Sequence, residues 1–292
     1  MGQIIMDEKK LYSPRVMKDI LDKHGFKFRK GLGQNFLIDG NIINKIAETA
    51  ELDESTGVLE IGPGFGALTQ VLCSRAKKVV AVEIDKSLRE VHEETLNYDN
   101  LRIIYEDFIK MDVNKLIEEE FNGLDVKIVA NLPYYITTPI IMKILEEKYK
   151  ISKMVVMVQK EVAQRLSSSP GSREYGAITL AVQYRANTNI AMIVPNTVFV
   201  PRPKVDSAII EFNILREPRI KVQDEALLFN VIKASFGQRR KTLLNALSNN
   251  LKISKDMIKG ALEGAGIASE VRGETLNLYE FGKISDEIKK LI

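Results

Sequence analysis

Short apolar runs rich in β-branched residues alternate with longer amphipathic segments between residues 57 and 215. The runs have the length of strands, and most segments between them have the length of helices. We therefore predict seven strands, at residues 57–61, 78–83, 101–105, 126–130, 154–158, 185–194 and 207–215. Alternation of this kind favours an open α/β sheet that is mostly parallel and covered by helices on both faces.

The last two predicted strands differ from the others in their connection. Only residues 195–206 separate them, which is too few for the crossover helix that joins parallel strands. We expect these strands to form an antiparallel pair at one edge, so that the seven-stranded sheet is mixed.

Helical patterns flank the predicted sheet on both sides. Asp39 can cap a helix that packs on the sheet, and Ser254 and Ser285 are predicted to cap two short helices near the end of the chain. From residue 218 onward the pattern is helical only. We therefore predict one large domain over residues 1–217 and a small all-α domain over residues 218–292.

Composition narrows the class of protein. Of the 292 residues, 45% are hydrophobic and 28% are charged, which is ordinary for a globular protein, and no apolar run approaches the ~18 residues of a membrane span. The first residues lack the features of a secretion signal, so we expect a cytoplasmic protein without a membrane partner. One cysteine and two histidines cannot supply a structural zinc site or a disulfide, and we expect no metal.

Basic residues are unevenly distributed, although the net charge is only +3. One group lies in an N-terminal arm, residues 1–36, and a second is the run Arg239, Arg240 and Lys241. Such clusters suit contacts with the phosphates of a nucleic acid. A basic surface that is only solvated explains either cluster alone equally well.

A glycine-rich turn follows the first predicted strand, at residues 60–66. Glycines such as Gly62 and Gly64 let a ligand approach the backbone closely, and the N-terminus of the next helix would point toward that ligand. Glu83, at the end of the second strand, is placed to bind a ribose diol. Together these features predict a nucleotide cofactor, either S-adenosylmethionine or a dinucleotide such as NAD.

Two acidic residues favour S-adenosylmethionine. Glu60 could face the amino-acid moiety of that cofactor, whereas it would repel a pyrophosphate. Asp107, after the third strand, offers an acceptor to the adenine amino group, with Phe108 beside it to line the ring. Asp107 taken alone is equally well explained as a helix cap.

Asn131, Leu132, Pro133 and Tyr134 follow the fourth predicted strand as a turn. The exocyclic nitrogen of adenine is a weak nucleophile because its lone pair is delocalised into the ring. The Asn131 side-chain oxygen and the carbonyl of Leu132 or Pro133 can accept its two hydrogens and so favour attack on a methyl group. Tyr134 offers a ring on which the base stacks. The turn therefore predicts methylation of adenine N6.

The loop between the last two strands supplies candidate substrate contacts. Phe199 is predicted to cover the second face of the base, and Arg202 and Lys204 to contact phosphates of an unpaired or flipped-out segment. A core position beneath the loop is the alternative for Phe199.

Six segments that carry these residues resemble the KsgA-type ribosomal RNA adenine dimethyltransferases, in the same order and over nearly the whole chain: residues 33–39, 60–66, 131–134, 170–176, 199–206 and 236–243. The resemblance implies a Rossmann-like class I methyltransferase domain. It also implies cofactor contacts from Asn35, Leu37, Gly62, Gly64, Glu83, Ile84, Asp107, Phe108 and Asn131.

The resemblance further implies a substrate. This is N6 of two adjacent adenosines in a hairpin loop near the 3′ end of 16S ribosomal RNA, dimethylated by a monomer on the precursor of the small ribosomal subunit. The helical domain would then bind RNA or the ribosome, with Arg239, Arg240 and Lys241 at the contact. Two residues depart from the family pattern, since Glu106 stands where Gly is common and Tyr135 where Asn is common.

Three rival functions are weaker. Methylation of large-subunit RNA is disfavoured by Leu132 and by residues 236–247, which resemble the small-subunit class. A non-catalytic RNA-binding protein on the same fold would not need the intact turn at Asn131 and Tyr134. An NAD oxidoreductase would need a proton donor, and none is evident near Asn131.

Overall fold

The computed structural model describes residues 10–26, 28–238 and 240–292, with the backbone alone at Lys30. Two compact units divide the chain. The sheet unit comprises Met1–Ala163 and Asn189–Asn213, and the helical unit comprises Gln164–Thr188 and Ile214–Ile292. Residues 164–188, which the domain prediction placed with the sheet, therefore cluster with the helices.

Apolar side chains explain why residues 164–188 belong to the helical unit. Tyr175 is fully buried, and its hydroxyl donates to the Leu276 carbonyl at 2.9 Å. Leu180 and Tyr184 belong to the same buried cluster, which consists mainly of residues after Ile214. Contacts between segments so distant in the chain cannot be read from local composition. Local composition changes only near residue 218, where the domain boundary was predicted.

Nine strands form the β-structure of the described residues: β1 Phe36–Leu37, β2 Thr56–Ile61, β3 Lys78–Val82, β4 Leu101–Ile104, β5 Asp125–Asn131, β6 Lys153–Gln159, β7 Ala186–Val194, β8 Phe199–Val200 and β9 Ser207–Ile214. Seven of them make one mixed sheet in the order β4-β3-β2-β5-β6-β9-β7, and β1 pairs with β8 in a two-stranded ribbon. The pairs β4–β3, β3–β2, β2–β5 and β5–β6 are parallel, whereas β9 runs antiparallel to β6. The seven predicted strands are confirmed, and the last two lie side by side at one edge.

Burial on both faces accounts for the apolar runs in the sheet. Every residue of β2 is buried, and so is every residue of β6 except the last. Interior strands of a parallel sheet are covered by helices on both sides, which requires nearly continuous apolar sequence. Because the strands are parallel, the turns after β2, β3, β4 and β5 meet at one edge of the sheet.

Twelve α-helices occur in the described residues: α1 Pro14–Lys23, α2 Gly40–Thr49, α3 Ala67–Cys73, α4 Arg89–Thr95, α5 Val113–Phe121, α6 Thr137–Glu146, α7 Lys160–Leu166, α8 Ala177–Arg185, α9 Glu225–Phe236, α10 Leu243–Leu251, α11 Lys255–Gly264 and α12 Leu278–Lys289. Asp39 caps α2 as predicted, since its side chain accepts from two backbone amides of the first turn. Ser254 caps α11 in the same way. None of the described helices is long and apolar enough to cross a membrane.

Helices α9 to α12 surround a second core in the helical unit. The prediction that Ser285 begins a short helix is wrong, because α12 runs through this position. Asn277 and Glu280 form a capping box that starts α12 earlier. Ser285 itself is fully buried on the face of α12 that also carries Phe281 and Ile288. A serine followed by charged residues can therefore be mistaken for an N-cap when it lies in the middle of a helix.

Candidate active site

A cavity lies in the sheet unit at the carboxyl ends of β2, β3 and β5. The cavity opens to solvent, and its walls are formed by the turns after β2, β3, β4 and β5 and by the segment around β1. Its lining includes the predicted residues Asn35, Leu37, Gly62, Gly64, Glu83, Ile84, Asp107, Phe108, Asn131, Leu132, Pro133, Tyr134 and Phe199. The fold therefore brings all the predicted cofactor and catalytic residues to one place.

The glycine turn after β2 has a backbone that favours glycine. Gly62, Gly64 and Gly66 have φ angles of +70°, +56° and +90°. A Cβ added to Gly62 would have no atom within 4 Å, whereas one added to Gly64 would approach the Phe36 ring to 3.2 Å. The turn thus presents an uncovered backbone at Gly62, as a ligand that reaches the main chain requires.

The Glu83 carboxylate is held by two backbone amides. The N–H of Gly64 donates to Oε2 at 3.0 Å, and the N–H of Asp85 donates to Oε1 at 2.7 Å. Burial nevertheless raises the pKa of Glu83, because the low-dielectric surroundings disfavour its charge. The carboxylate is therefore oriented before a ligand binds, and it suits the hydroxyl hydrogens of a ribose.

Glu60 is a buried carboxyl whose bonding is incomplete. The residue belongs to the cavity wall, and its buried Oε2 has no hydrogen-bond partner within the described residues. Burial raises the pKa of Glu60 to about 8, while the nearby Thr69 hydroxyl lowers it and the charge of Glu83 raises it further. A cationic group in the cavity would satisfy this oxygen, and the ammonium group of S-adenosylmethionine meets that requirement.

The cap interpretation of Asp107 is confirmed, and its contact with an adenine amino group stays a prediction. Oδ1 accepts from the N–H of Ile109 at 3.0 Å, so Asp107 caps a short 3-10 turn, and the residue also lines the cavity. Phe108 is buried beside it, whereas Ile84 is exposed at the rim. Glu106, which departs from the family pattern, also lies in the wall.

Asn131 and Asn35 are joined by one hydrogen bond, although they are far apart in the chain. Nδ2 of Asn131 donates to the Asn35 carbonyl at 3.2 Å, and Nδ2 of Asn35 donates to the Gly33 carbonyl at 2.9 Å. These bonds tie the turn after β5 to the segment before β1. The bond from Nδ2 fixes the orientation of the Asn131 amide, whose oxygen is the side-chain atom that can accept from a ligand.

The two backbone carbonyls of the turn are not equivalent. The Pro133 carbonyl already accepts from the N–H of Ile136 at 3.2 Å and from Oγ1 of Thr137 at 3.0 Å. Both of its lone pairs are therefore used by the start of α6. Of the two carbonyls that the sequence offered, that of Leu132 is the better acceptor for a substrate.

Tyr134 and Tyr135 have different surroundings. The Tyr134 hydroxyl and Oγ of Ser207, the buried first residue of β9, are 2.7 Å apart and share a hydrogen bond. Burial raises the pKa of Tyr134 and keeps the hydroxyl protonated. Tyr135 is 53% exposed, and a Cβ on Gly33 would lie 3.2 Å from its ring. The residue that departs from the family pattern thus packs against the open face of Gly33.

Phe199 occupies the core position that was the alternative in the sequence interpretation. It is only 3% exposed and belongs to the buried cluster of the sheet unit. It also pairs with Leu37 across the β1–β8 ribbon, and both residues line the cavity. Burial in the core and a place in the cavity wall are therefore combined in one side chain.

Four of the predicted phosphate contacts are described by the structure, and none of these four lines the cavity. Arg202 and Lys204 are exposed on the sheet unit, where Nε of Arg202 donates to Oδ1 of Asn196 at 2.9 Å. Arg240 and Lys241 are exposed on the helical unit, before α10. Arg239, and part of the basic arm at residues 1–9 and 27, lie outside the described residues.

Asp85 is a buried carboxylate that the sequence interpretation missed. It accepts from Nε2 of Gln34 at 2.7 Å, and Nη1 of Arg29 lies 3.2 Å from its other oxygen. Its own N–H donates to Glu83, so it links the N-terminal segment to that carboxyl group. The hydrogen bond from the Ser87 amide marks Asp85 as a turn residue, but no local pattern points to Gln34 or Arg29.

Glu60→Gln removes the ionisable group from the cavity wall and nearly preserves its shape. Because the pKa of Glu60 is raised from 4.5 to about 8, the folded protein keeps a proton that the unfolded chain releases. The free energy of unfolding therefore falls as the pH rises through this window. We expect the variant to lack that fall and to exceed the native protein by about 1 to 4 kcal/mol near pH 8.5, as measured by urea unfolding across pH.

Glu54→Gln is the matched control, because Glu54 is an exposed glutamate of the same sheet unit. Its stability should follow that of the native protein at every pH. Parallel curves for the native protein and Glu60→Gln would contradict a raised pKa at Glu60.

The chain is similar to known proteins over nearly its whole length. The chain matches the family described as Ribosomal RNA adenine dimethylase over residues 25–289. It is 50% identical over 289 residues to the Ribosomal RNA small subunit methyltransferase A of Bacillus licheniformis, covering 97% of this chain and 99% of the relative. A solved dimethyladenosine transferase from Plasmodium falciparum is 29% identical, with a TM-score of 0.73 over 87% of this chain and 98% of that one.

A second solved structure is the 23S rRNA methyltransferase ErmE. It is 26% identical, with a TM-score of 0.67 over 87% of this chain and 100% of that one. The family match spans all the segments that line the cavity and most of the helical unit. This chain therefore belongs to the ribosomal RNA adenine dimethylase family.

Proposed function

We propose that this chain, by its family an S-adenosylmethionine-dependent ribosomal RNA adenine dimethyltransferase, dimethylates N6 of two adjacent adenosines in a hairpin loop near the 3′ end of 16S ribosomal RNA. It acts on the precursor of the small subunit, as a monomer in the cytoplasm. One observation carries the proposal. The Asn131 turn has its amide nitrogen tied to Asn35, which leaves an amide oxygen as acceptor in the wall of a cavity suited to a nucleotide cofactor.

The turn makes adenine N6 a better nucleophile by accepting its two hydrogens. The Asn131 oxygen takes one, and the Leu132 carbonyl takes the other, because the Pro133 carbonyl is already engaged. Positive charge develops on N6 as it attacks, and acceptors fixed in advance stabilise that charge more than they stabilise neutral adenine. The methylated nitrogen then loses its extra proton to water, so no general base is required.

Two aromatic rings would hold the base in the orientation for attack. Tyr134 supplies a platform whose hydroxyl is anchored on Ser207, so the ring cannot swing away without breaking that bond. Phe199 supplies a wall from the β1–β8 ribbon. Stacking on such rings contributes about 1 to 3 kcal/mol per base, and the alignment that it enforces contributes to the rate.

The cofactor supplies an electrophilic methyl group when it is bound. Glu83 suits the ribose hydroxyls, Asp107 suits the adenine amino group, and Glu60 suits the ammonium group. The remaining contacts in this assignment come from Asn35, Leu37, Gly62, Gly64, Ile84, Phe108 and Asn131. The uncovered backbone at Gly62 and the unpartnered oxygen of Glu60 are the observations that support it.

The fold alone does not choose between ribosomal subunits, because the similar structure of ErmE is named for 23S RNA. The small subunit is supported by the B. licheniformis relative, which is named for it and aligns with nearly the whole chain. Exposed cations on each unit, Arg202 and Lys204 on one and Arg240 and Lys241 on the other, are available for phosphates.

Labelled S-adenosylmethionine tests the proposed substrate directly. The protein is incubated with unmethylated 30S particles or with naked large-subunit RNA, and the modified adenines are mapped. We expect label on two adjacent adenines near the 3′ end of 16S RNA and none in large-subunit RNA. Label only in large-subunit RNA, or cofactor binding without label in either, would refute the proposal.

Asn131→Ala removes the proposed acceptor for one N6 hydrogen. We expect kcat to fall by about 10²- to 10³-fold, as for loss of one donor or acceptor that acts on the transition state. Binding of S-adenosylhomocysteine, measured by calorimetry, should be kept and should weaken far less than kcat falls, although Asn131 is among the predicted cofactor contacts. Asn41→Ala, at an exposed asparagine on α2, is the control and should keep full activity. An equal loss of binding and turnover would instead make Asn131 mainly a cofactor ligand.

Replacing Arg240 and Lys241 together with Gln tests the helical unit as an RNA contact. Each phosphate contact that is lost lowers the number of counterions that binding releases. The slope of log Kd against log salt for 30S particles should therefore decrease by about 1 to 2. Lys255 and Lys259, exposed on α11, provide a double Gln control of equal charge. The same slope in the native protein and the Arg240/Lys241 variant would exclude this contact.

A further inference from the structure

His92 lies behind the glycine turn, on α4, and is only 2% exposed. Nε2 is 2.7 Å from the Gly64 carbonyl oxygen, and Nδ1 is 2.8 Å from the Tyr105 hydroxyl. The imidazole and the Tyr105 ring lie nearly parallel, with an interplanar angle of 26° and 5.9 Å between centroids. Each ring nitrogen of His92 therefore has a hydrogen-bond partner, and the two bonds fix the orientation of the imidazole.

The partners of His92 determine which nitrogen carries the proton. A carbonyl oxygen can only accept, so Nε2 must donate to Gly64. Nδ1 then accepts from the Tyr105 hydroxyl, which stays protonated because burial raises the pKa of Tyr105 to about 12. Burial also lowers the pKa of His92, which keeps the ring neutral. Every polar atom of this pair is satisfied by a neutral imidazole with its hydrogen on Nε2.

Both backbone polar groups of Gly64 are therefore hydrogen-bonded to side chains. Its N–H donates to Glu83, and its carbonyl accepts from His92. A residue at φ +56° has few alternatives that keep both bonds, so the two contacts determine the course of the turn. Loss of the His92 bond would leave a carbonyl without its donor and would loosen the N–H that orients Glu83.

We propose that His92 is a positioning residue for cofactor binding, whose Nε2–H fixes the Gly64 peptide and, through it, the Glu83 carboxylate. The role rests on the proposed function in one respect, namely that the glycine turn and Glu83 hold the cofactor. His92 itself does not line the cavity. Its effect reaches a ligand only through Gly64.

Two substitutions of His92 separate hydrogen bonding from packing. His92→Gln keeps an N–H donor at a similar reach, whereas His92→Leu fills the space without a donor. Because a net hydrogen bond corresponds to about a three- to tenfold change in an equilibrium constant, we expect His92→Leu to weaken S-adenosylhomocysteine binding by that factor. His92→Gln should stay within about twofold of the native Kd. Calorimetry on the full chain gives both values, and thermal unfolding shows whether each variant is folded at the assay temperature.

A spectroscopic test uses the fact that the chain has two histidines. His24 pairs with Glu94 at 2.7 Å on the surface, so His24→Gln leaves one imidazole and serves as the control for binding. A long-range ¹H–¹⁵N correlation spectrum of His24→Gln should show the Nε2–H tautomer of His92 at neutral pH. The Nδ1–H tautomer or a protonated ring would overturn the assignment.

Gly64→Ala distinguishes failure of this inference from failure of the proposed function, because the added Cβ would strain the turn itself. Weaker binding in Gly64→Ala and His92→Leu, with recovery in His92→Gln, supports the inference. Weaker binding in Gly64→Ala alone, or equal losses in His92→Leu and His92→Gln, overturns the role of His92 and leaves the cofactor site intact. Unchanged binding in both Gly64→Ala and His92→Leu overturns the assignment of the glycine turn to the cofactor, and the role of His92 with it.

Discussion

The hydrogen bonds to the Glu83 carboxylate are the interaction on which the cofactor side of the cavity depends. One oxygen accepts from Gly64 in the turn after β2, and the other accepts from Asp85 in the turn after β3. Each turn would otherwise leave a backbone N–H without a partner inside the protein, which is costly. The Asp85 side chain in turn accepts a hydrogen bond from Gln34 in the N-terminal segment. Three stretches of chain that are distant in sequence are thus connected by the carboxyl groups of Glu83 and Asp85.

The electrostatics of the cavity explain which kind of cofactor it suits. Glu60 and Glu83 are both buried, and burial raises the pKa of each. The described residues of the lining include no lysine or arginine that could neutralise them. A pyrophosphate would meet two buried acids without a compensating cation, whereas a positively charged ligand would regain the favourable interaction that burial has removed. This is the physical basis for preferring S-adenosylmethionine to a dinucleotide.

The strands could be predicted from the local pattern of apolar residues. The placement of the site residues at the carboxyl ends of these strands could be predicted for the same reason. Apolar runs and their spacing identify β2, β3 and β5, and parallel strands bring their turns together without further information. Contacts between distant segments could not be predicted in this way. The bond from Tyr134 to Ser207, the pairing of Asp85 with Gln34 and the burial of Tyr175 among later helices have no local signal. The uncertain role of Phe199 had the same origin, since a core aromatic and a cavity wall look alike in sequence.

The β1–β8 ribbon has a consequence for the order of events during turnover. Leu37 and Phe199 are direct partners across it, one in the segment assigned to the cofactor and the other in the loop assigned to the base. An enzyme that adds two methyl groups to one nitrogen needs a fresh cofactor molecule between the additions. If the segment carrying Leu37 moves to release the spent cofactor, Phe199 moves with it, and the base loses one of its two stacking faces. Each cofactor exchange would then loosen the grip on the RNA, so the second methylation competes with dissociation of the singly methylated product.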